Sequence, residues 1–272
     1  MARQYSLTDF LPTSKKEMDA RGWNEADVIL FSGDAYVDHP SFGAAVVGRF
    51  LESHGLRVAI VPQPNWRDDL RDFRKLGKPR LFFGVSPGAM DSMVNKYTAA
   101  RRLRSEDAYT PDKRIDMRPE YPSIVYSRIL KSIYPDVPII LGGIEASLRR
   151  LVHYDYWQNK LLPGMSILSP ADLIIYGMGE LPLAEVVERL KAGADIAELR
   201  KILQTTYAVD AQDFQPQEGD LRLFSYEECL KDKKKQAMNF KHIEEESNKF
   251  HASRIIQPCG DRVIIVNPPF PP

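Results

Sequence analysis

Cysteine is scarce in this sequence: Cys229 and Cys259 are the two cysteines among 272 residues. They stand about thirty residues apart and belong to no CxxC or CxxxCxxC array, so the sequence offers no ligand set for an iron–sulfur cluster or a zinc ion. The two thiols could pair, but a reduced protein is the better interpretation of so few cysteines. We therefore expect a cytoplasmic chain that binds no metal itself.

Excess charge of either sign is absent as well. The 37 Lys and Arg residues cancel the 37 Asp and Glu residues, so net charge gives no reason to expect binding to nucleic acid or to an anionic membrane. No apolar run approaches the roughly 18 residues of a membrane span. Residues 1–5 also lack an apolar signal region. The hydrophobic content of 43% and the charged content of 27% are those of a globular protein.

Five short apolar runs predict β-strands, at Asp27–Ser32, Arg57–Pro62, Arg80–Ser86, Val137–Gly142 and Asp172–Gly177. Each run is continuous rather than alternating, which is typical of strands buried on both faces. Helical patterns lie between the runs, at 42–54, 121–134 and 183–190. This alternation predicts an α/β fold with a doubly wound, mostly parallel sheet. We expect the strand order 2-1-3-4-5 or a close variant of it, with the first strand in the centre.

Two predicted loops, at 99–119 and 148–170, are longer than this fold requires. Loops of that length in a compact domain tend to be functional or disordered. Later in the chain, the mixed charges of 231–235 and 244–246 predict the solvated face of a helix.

The last quarter of the sequence differs in its residue pattern from the part before it. Polar, turn-rich segments replace the alternating pattern, and a strand at 262–267 then runs into the prolines of 268–272. Such an ending is typical of a connector that leads onward. We predict an α/β domain at 1–206 and a connector at 207–272.

The loop after the first predicted strand carries two carboxylates, an imidazole and a hydroxyl, on Asp34, Asp38, His39 and Ser41, and it ends at Gly43. The carboxyl ends of strands in open α/β sheets are the usual places for ligands. These groups could bind a ligand or, less readily, a metal ion, and Asp38 could tune the pKa and tautomer of His39. A turn in which Asp34 and Ser41 act as caps would explain the same residues.

The later strand ends repeat this arrangement. The loop at 86–93 presents hydroxyl groups at a helix N-terminus, either for a ligand or as ordinary capping. Gly142 and Gly143 allow the close approach of a backbone or a ligand. The segment 148–157 has two adjacent arginines that could clamp an anion, and aromatic side chains that could stack on a planar group or pack against a partner domain. The Gly-x-Gly at 177–179 lacks the third glycine of a dinucleotide fingerprint.

Parallel strands deliver their carboxyl-end loops to the same edge of a sheet, so we expect these groups to form one ligand-binding or domain-docking edge. We expect charge pairing there between Asp34 or Asp38 and Arg149 or Arg150, and we predict no catalytic residue. The candidate residues are Asp34, Asp38, His39, Ser41, Gly43, Ser86, Asp91, Ser92, Gly142, Gly143, Glu145, Arg149, Arg150, His153, Tyr154, Asp155, Gly177, Gly179 and Glu180.

Several of these blocks together resemble the N-terminal region of YgiQ-type radical SAM proteins. The blocks are 33–43, 91–93, 97–99, 107–111, 142–150 and 153–157. The resemblance extends from residue 10 to residue 198 and resumes at 251–254 and 267–269.

In full-length members of that family a radical SAM barrel follows this region, and a CxxxCxxC motif there holds a 4Fe-4S cluster that cleaves S-adenosylmethionine. The resemblance therefore implies that the chain is an accessory domain of a longer enzyme of unknown substrate. It also implies that the partner of the chain is its own downstream domain, whose barrel the loop edge would cap. No residue here matches the cluster motif, so the cluster and S-adenosylmethionine are expected downstream.

The region also resembles the flavodoxin-like, cobalamin-binding-like domains of other radical SAM proteins. Those that ligate cobalamin carry Asp-x-His-x-x-Gly, whereas here Asp38 is adjacent to His39 and Gly43 follows four residues later. Because of this departure we do not expect His39 to ligate cobalamin. The alternative function is a stand-alone binding module for cobalamin or a nucleotide. A small hydrolase built on Asp38 and His39 would lack a nucleophile motif.

Overall fold

The computed structural model describes residues 6–271. Residues 1–5, expected to lack an apolar signal region, and Pro272, the last of the terminal prolines, lie outside the described residues. The chain divides into two compact units, Met1–Glu145 and Ala146–Pro272. The predicted division after residue 206 stays a prediction. No helix within 6–271 combines the length and apolar character needed to cross a bilayer.

Unit 1 (Met1–Glu145) alternates strands and helices. Its strands are β1 (Val28–Ser32), β2 (Val58–Pro62), β3 (Phe82–Ser86) and β4 (Ile139–Leu141). Its helices are α1 (Lys15–Asp19), α2 (Gly43–Ser53), α3 (Arg71–Arg74), α4 (Ser92–Lys96) and α5 (Pro122–Ile133), and α6 (Ile144–Leu148) contains the boundary with the next unit. The four predicted strands and both predicted helices of this region are confirmed within one or two residues at each end.

The sheet of unit 1 is parallel and has the order β2-β1-β3-β4. Strand β1 is central, with Leu30 opposite Ile60 on one side and Gly84 on the other. Helix α2 packs against β1 and β2, and α5 packs against β3 and β4. The α/β class with a doubly wound, mostly parallel sheet is thus confirmed, as is the central position of the first strand.

The continuous apolar runs form strands because both faces of the sheet are covered. Every residue of β1 is buried. Phe31 stacks on Phe73 of α3 at 5.2 Å between ring centroids and meets Phe83 edge-on at 5.7 Å. Burying a side chain of this size stabilises the fold by about 1.5–3 kcal/mol. The packing of the strands therefore stabilises the sheet independently of its loops.

Unit 2 (Ala146–Pro272) has a mixed sheet of different character. Its strands are β5 (His153–Asp155), β6 (Lys160–Leu162), β7 (Leu173–Ile175), β8 (Thr205–Asp210), β9 (Leu221–Arg222), β10 (Ile255–Cys259) and β11 (Arg262–Val266). Its helices are α7 (Met165–Leu168), α8 (Glu180–Lys191), α9 (Ile196–Leu199), α10 (Tyr226–Lys231) and α11 (Lys233–Ser247). The order is β7-β8-β11-β10-β9, antiparallel except for β10 with β9, and β5 and β6 form a separate hairpin.

Two expectations about unit 2 have different outcomes. The segment 148–170, predicted as a loop, instead contains β5, β6 and α7, because strands of only three residues are too short to form the apolar runs that identified the others. The charged residues of 231–235, with Glu244 and Glu245, are exposed or half-buried as expected, but Glu246 is buried and pairs with Lys249.

Candidate functional site

The loop after β1 is enclosed by neighbouring loops of unit 1. The Gly33 N–H donates to the Ser86 carbonyl at 3.1 Å, and the Ala35 N–H donates to the Tyr109 carbonyl at 2.9 Å. A Cβ atom at position 33 would lie 2.0 Å from the Pro87 carbonyl oxygen. Glycine is therefore required there because two backbones touch, and no ligand is needed to explain it.

Asp34, the first candidate carboxylate, points into this packed region and is 3% exposed. It accepts a hydrogen bond from the Ala89 N–H at 2.5 Å, and its Oδ1 lies 2.9 Å from Nη1 of Arg118. Burial raises the pKa of Asp34, while the guanidinium of Arg118 and the Ala89 N–H oppose that shift. The carboxylate therefore joins the β1 and β3 loops to the long loop that carries Arg118.

Arg118 is the centre of a buried ion cluster. It is 2% exposed, and its Nη2 lies 3.0 Å from Oδ2 of Asp107, itself 5% exposed. Its Nη1 also donates to the Pro87 carbonyl at 3.1 Å. Two carboxylates on one guanidinium satisfy the cation and hold the 99–119 loop against the strand ends.

Asp38, His39 and Ser41 lie on the exposed outer part of the same loop. Asp38 pairs with Arg49 of α2 through bonds of 3.1 and 2.5 Å, and Arg49 also binds Glu52 at 2.7 Å. His39 Nδ1 accepts the Ser41 N–H at 3.1 Å. The Asp38 carboxylate is therefore held by an arginine of α2.

The expected charge pairing and capping in this loop need correction. Asp34 and Asp38 were expected to pair with Arg149 or Arg150, but each has an arginine partner within unit 1, at Arg118 and Arg49. Ser41 does not cap α2 either, since the helix starts at Gly43 and no side chain caps it.

A small cleft lies between this loop and the start of α2. Asp34, Tyr36 and Phe42 are among its lining residues, and it leaves about 10 Å³ of space. That is room for about one water molecule. In this conformation the cleft is far too small for a nucleotide or a corrin ring.

The loop after β3 provides capping groups for α4. The Asp91 side chain accepts the N–H groups of Met93 and Val94 at 3.0 and 3.2 Å, as an N-cap residue does. Ser86 Oγ accepts the Gly88 N–H at 3.3 Å within the turn. These hydrogen bonds support the interpretation of this loop as a helix cap.

Glu145 is a fully buried carboxylate at the starts of two helices. Its Oε1 accepts the Ser123 N–H in the first turn of α5 at 3.1 Å, and its Oε2 accepts the Ser92 hydroxyl at the start of α4. Ser92 Oγ in turn accepts the Tyr121 N–H at 3.2 Å. The Glu145 side chain therefore provides acceptors at two helix starts, where free N–H groups and the positive ends of helix dipoles meet.

The double glycine after β4 serves close packing. The Gly142 N–H donates to the Val85 carbonyl at 3.0 Å. Gly143 has φ +83°, and a Cβ atom there would lie 3.0 Å from Ser86 Oγ and 3.1 Å from Pro87. The β4 loop therefore packs onto the β3 loop as the β1 loop does.

Of the two adjacent arginines of unit 2, Arg149 is buried, at 9% exposed, and Arg150 is half-buried. Arg150 donates from Nη1 to the Ser147 carbonyl at 2.6 Å, and its guanidinium carbon lies 4.7 Å from the ring centroid of Tyr176. Burial lowers the pKa of Arg150. Among residues 6–271 no carboxylate forms an ion pair with Arg150.

The hairpin residues that follow have mixed environments. Asp155 is 2% exposed and accepts the Gln158 N–H at 2.7 Å, which closes the turn of the hairpin. Tyr154 is 55% exposed. His153 is half-buried, with its Nδ1 3.1 Å from the Leu151 carbonyl. Tyr154 thus lies at the surface of unit 2, while the Asp155 carboxylate holds the turn of the hairpin.

The Gly-x-Gly after β7 forms a turn fixed by Gln204. The Gln204 amide nitrogen donates to the carbonyls of Tyr176, at 2.8 Å, and Met178. The Gly177 N–H donates to Ser147 Oγ at 3.1 Å. Gly179 is the N-cap of α8 and Glu180 is its first residue.

Several residues that organise these loops were not predicted: Arg49, Asp107, Arg118, Ser123 and Gln204. The length of the 99–119 loop was a signal that it is held in place. Its five arginines look alike in the sequence, however, and nothing local distinguishes Arg118.

The cysteines do not fit an iron–sulfur cluster. Cys229 Sγ lies 3.2 Å from the Asn239 amide nitrogen in a buried site, and burial raises the pKa of Cys259 to about 11. Within the described range, no three His, Cys, Asp or Glu side chains are grouped so as to hold a metal ion. A cluster would need three or four thiolates close together.

Comparison with known proteins gives a consistent result. A UPF0313 protein of Porphyromonas gingivalis is 72% identical over 273 residues, which covers 100% of this chain and 43% of the relative. A UPF0313 protein of Bacteroides thetaiotaomicron is 66% identical, with 99% of this chain and 45% of the relative covered. UPF0313 protein YgiQ of Escherichia coli is 54% identical over 200 residues, 74% of this chain and 27% of the relative.

The chain thus spans less than half the length of these relatives. Residues 10–272, nearly the whole chain, match the family described as Radical SAM N-terminal. On the extent of that match and the identity to its relatives, the chain belongs to the Radical SAM N-terminal family.

Proposed function

We propose that this chain is the N-terminal accessory region of a radical SAM iron–sulfur enzyme of unknown substrate, and that its strand-end edge caps the barrel and helps to shape the substrate site. The observation that carries the proposal is the family match over 10–272, combined with relatives of which the chain covers 43–45%. The remaining length of those relatives is ample for a barrel domain.

In this proposal the 4Fe-4S cluster and S-adenosylmethionine are bound downstream. The environment of the two cysteines supports that division, since Cys259 is held as a neutral thiol in an apolar cluster and Cys229 is engaged by Asn239. The cluster would supply the electron chemistry when bound. The residues of this chain would contribute shape and charge at the rim of the site.

The geometry favours an accessory region over a stand-alone cobalamin or nucleotide module. The carboxylates Asp34 and Glu145 are occupied by partners within unit 1, and the cleft beside Asp34 leaves about 10 Å³. His39 is exposed and its neighbour Asp38 is paired with Arg49. A rim that is rigid by itself suits a surface that must be presented to another domain.

Anaerobic reconstitution with iron and sulfide tests the proposal. The full-length protein should turn brown, absorb at roughly 400 nm and consume S-adenosylmethionine when a reductant is supplied. The 272-residue chain should stay colourless under the same conditions. A stoichiometric cluster in the 272-residue chain, or a full-length protein without a cluster, would overturn the proposal.

The role of the edge is tested by Asp38→Ala and Arg149→Ala in the full-length protein. Each should lower the rate of S-adenosylmethionine consumption while the 272-residue variant still unfolds cooperatively. Asp136→Ala is the matched control, because Asp136 is exposed and precedes β4 at the opposite end of that strand. If both edge variants keep the wild-type rate, this edge is not the functional surface.

A further inference from the structure

An apolar surface without a cover lies at the carboxyl end of β7 in unit 2. Leu148 is 64% exposed, Met178 80% and Leu181 62%. The hydrogen bond from the Gly177 N–H to Ser147 Oγ brings the end of α6 to the loop that carries Met178. We name these three side chains, with Arg150 and Tyr176 beside them, the β7 edge. Large exposed apolar side chains on segments joined in this way are typical of a surface that binds a partner.

Arg150 gives the β7 edge an unbalanced positive charge. Its guanidinium stacks on Tyr176 and donates to one backbone carbonyl, and its Nε is buried without a hydrogen-bond partner. None of the acidic side chains within 6–271 forms an ion pair with it. A cation withdrawn from water in this way is stabilised by an incoming carboxylate, for which a planar guanidinium offers matched donors.

The end of the described chain leaves unit 2 at the same place. The Tyr176 hydroxyl donates to the Asn267 carbonyl at 2.6 Å, and the Gln204 N–H donates to the Pro268 carbonyl at 2.7 Å. Strand β11 is antiparallel to β8, and β8 is antiparallel to β7. Strand β11 therefore runs in the direction of β7, and Asn267 and Pro268, which follow it, lie beside Tyr176 of the β7 edge.

We propose that the part of the full-length protein that follows this chain docks on the β7 edge, covering Leu148, Met178 and Leu181 with an apolar surface and placing a carboxylate against Arg150. This rests on the proposed function only in that the chain is taken as the N-terminal region of a longer protein. Because the downstream part would belong to the same polypeptide, its effective concentration at this surface would be high, so a modest patch is sufficient for docking.

Backbone amide exchange measured on the full-length protein and on the 272-residue chain tests the proposal. Peptides that cover 177–183 should exchange about tenfold or more slowly in the full-length protein, because docking shields the turn and the first turn of α8. Peptides from α11, which exposes Met238 and Phe240, should exchange equally in both. Equal exchange at 177–183, or slowing confined to α11, would overturn the proposal.

Variants locate the docking surface. Met178→Asp and Arg150→Gln in the full-length protein should each return exchange at 177–183 toward the rate of the 272-residue chain. Met238→Asp is the matched control and should leave it slow. Arg150→Lys should keep part of the slowing because the charge remains. Thermal unfolding of the same variants of the 272-residue chain should show an unchanged midpoint for Met178→Asp, whose side chain is mostly exposed.

Other occupants give different results. If a second copy covers the edge, exchange at 177–183 in the 272-residue chain slows as its concentration rises, and the proposal fails. If a free anion alone occupies Arg150, added acetate or phosphate slows exchange in the 272-residue chain to the full-length rate, and the proposal also fails. Cluster content and S-adenosylmethionine consumption, measured on the same full-length sample, report separately on the proposed function.

Discussion

The strand ends of unit 1 and the β7 edge of unit 2 place charge on loops in opposite ways. In unit 1 the buried carboxylates Asp34 and Glu145 have partners within the unit, in Arg118 and in the N–H and hydroxyl groups of two helix starts. At the β7 edge a half-buried guanidinium has no ion-pair partner among the described residues, and large apolar side chains face solvent. The first arrangement holds loops in place, and the second is completed only by a partner.

The contrast between the two regions would not hold if Arg118 contributed nothing to the stability of unit 1. Arg118→Met should lower the free energy of unfolding by about 3–5 kcal/mol, because Asp34 and Asp107 would remain buried without their cation. Urea denaturation of the 272-residue chain measures the loss. Arg114→Met, in the same loop but exposed, should change it by less than about 0.5 kcal/mol. Similar values for the two variants would mean that the ion cluster does not hold the loop.

Glu145 offers the next largest effect. Glu145→Ala should cost about 3 kcal/mol, because it removes the acceptor for the Ser123 N–H and the Ser92 hydroxyl in a buried site. Glu145→Gln keeps one oxygen acceptor and should cost about half as much. Denaturant midpoints compare the two. Equal losses would show that the shape and the single acceptor oxygen of Gln stabilise nothing at this position, and would contradict this reasoning.

The close packing of the loops can be tested at Gly88. Gly88→Ala should cost about 2 kcal/mol, since φ is +114° and the new Cβ would lie 2.1 Å from Asp34 Oδ1. Gly55→Ala is the control, with φ +76° but no atom within 4 Å, and should cost about 1 kcal/mol. If both substitutions cost the same, the loop that carries Asp34 moves aside at little cost in free energy, and the loops at the strand ends are less rigid than their contacts indicate.

The smallest effect is expected at the opposite end of β1. Burial raises the pKa of Asp27, but hydrogen bonds from Arg57 and Arg80 prevail and lower it to about 2. Stability from this group should be present above pH 4 and be lost as the pH falls toward 2. Because both arginines are partly exposed and screened, the contribution should be about 1–2 kcal/mol. The difference in unfolding free energy between wild type and Asp27→Asn should therefore shrink from pH 7 to pH 3, and a constant difference would contradict this reasoning.

Most of the fold of unit 1 could be predicted because its information is local. The runs at 28–32 and 58–62 are continuous, apolar and bounded by polar residues, which specifies buried parallel strands. The hairpin of β5 and β6 was missed because its strands are three residues long and mostly polar. The hairpin is closed by a hydrogen bond from the Gln158 N–H to the Asp155 side chain. The sequence pattern does not reveal such a bond, whereas it does reveal an apolar run.

The candidate edge was less predictable, because its decisive contacts span long sequence separations. The placement of Asp34 at a strand end followed from topology, but its partner Arg118 lies in a loop with four other arginines. Asp38 pairs with Arg49 of α2. In the sequence, Arg49 is indistinguishable from any other charged residue on the surface of a helix. Residue types and the positions of strand ends therefore predict where the edge lies. Which carboxylate pairs with which arginine depends on the conformation of each loop, and the sequence pattern does not predict that.

The position of β11 has a mechanical consequence. The strand lies between β8 and β10 and is bonded through five residue pairs on each side. A pull on the chain beyond Val266 acts along the strand, so it loads both ladders in shear and all their hydrogen bonds at once, instead of opening them one by one. Rupture under such a load is governed by the unfolding rate. A domain attached after β11 could therefore move and strain against unit 2 without peeling its last strand from the sheet.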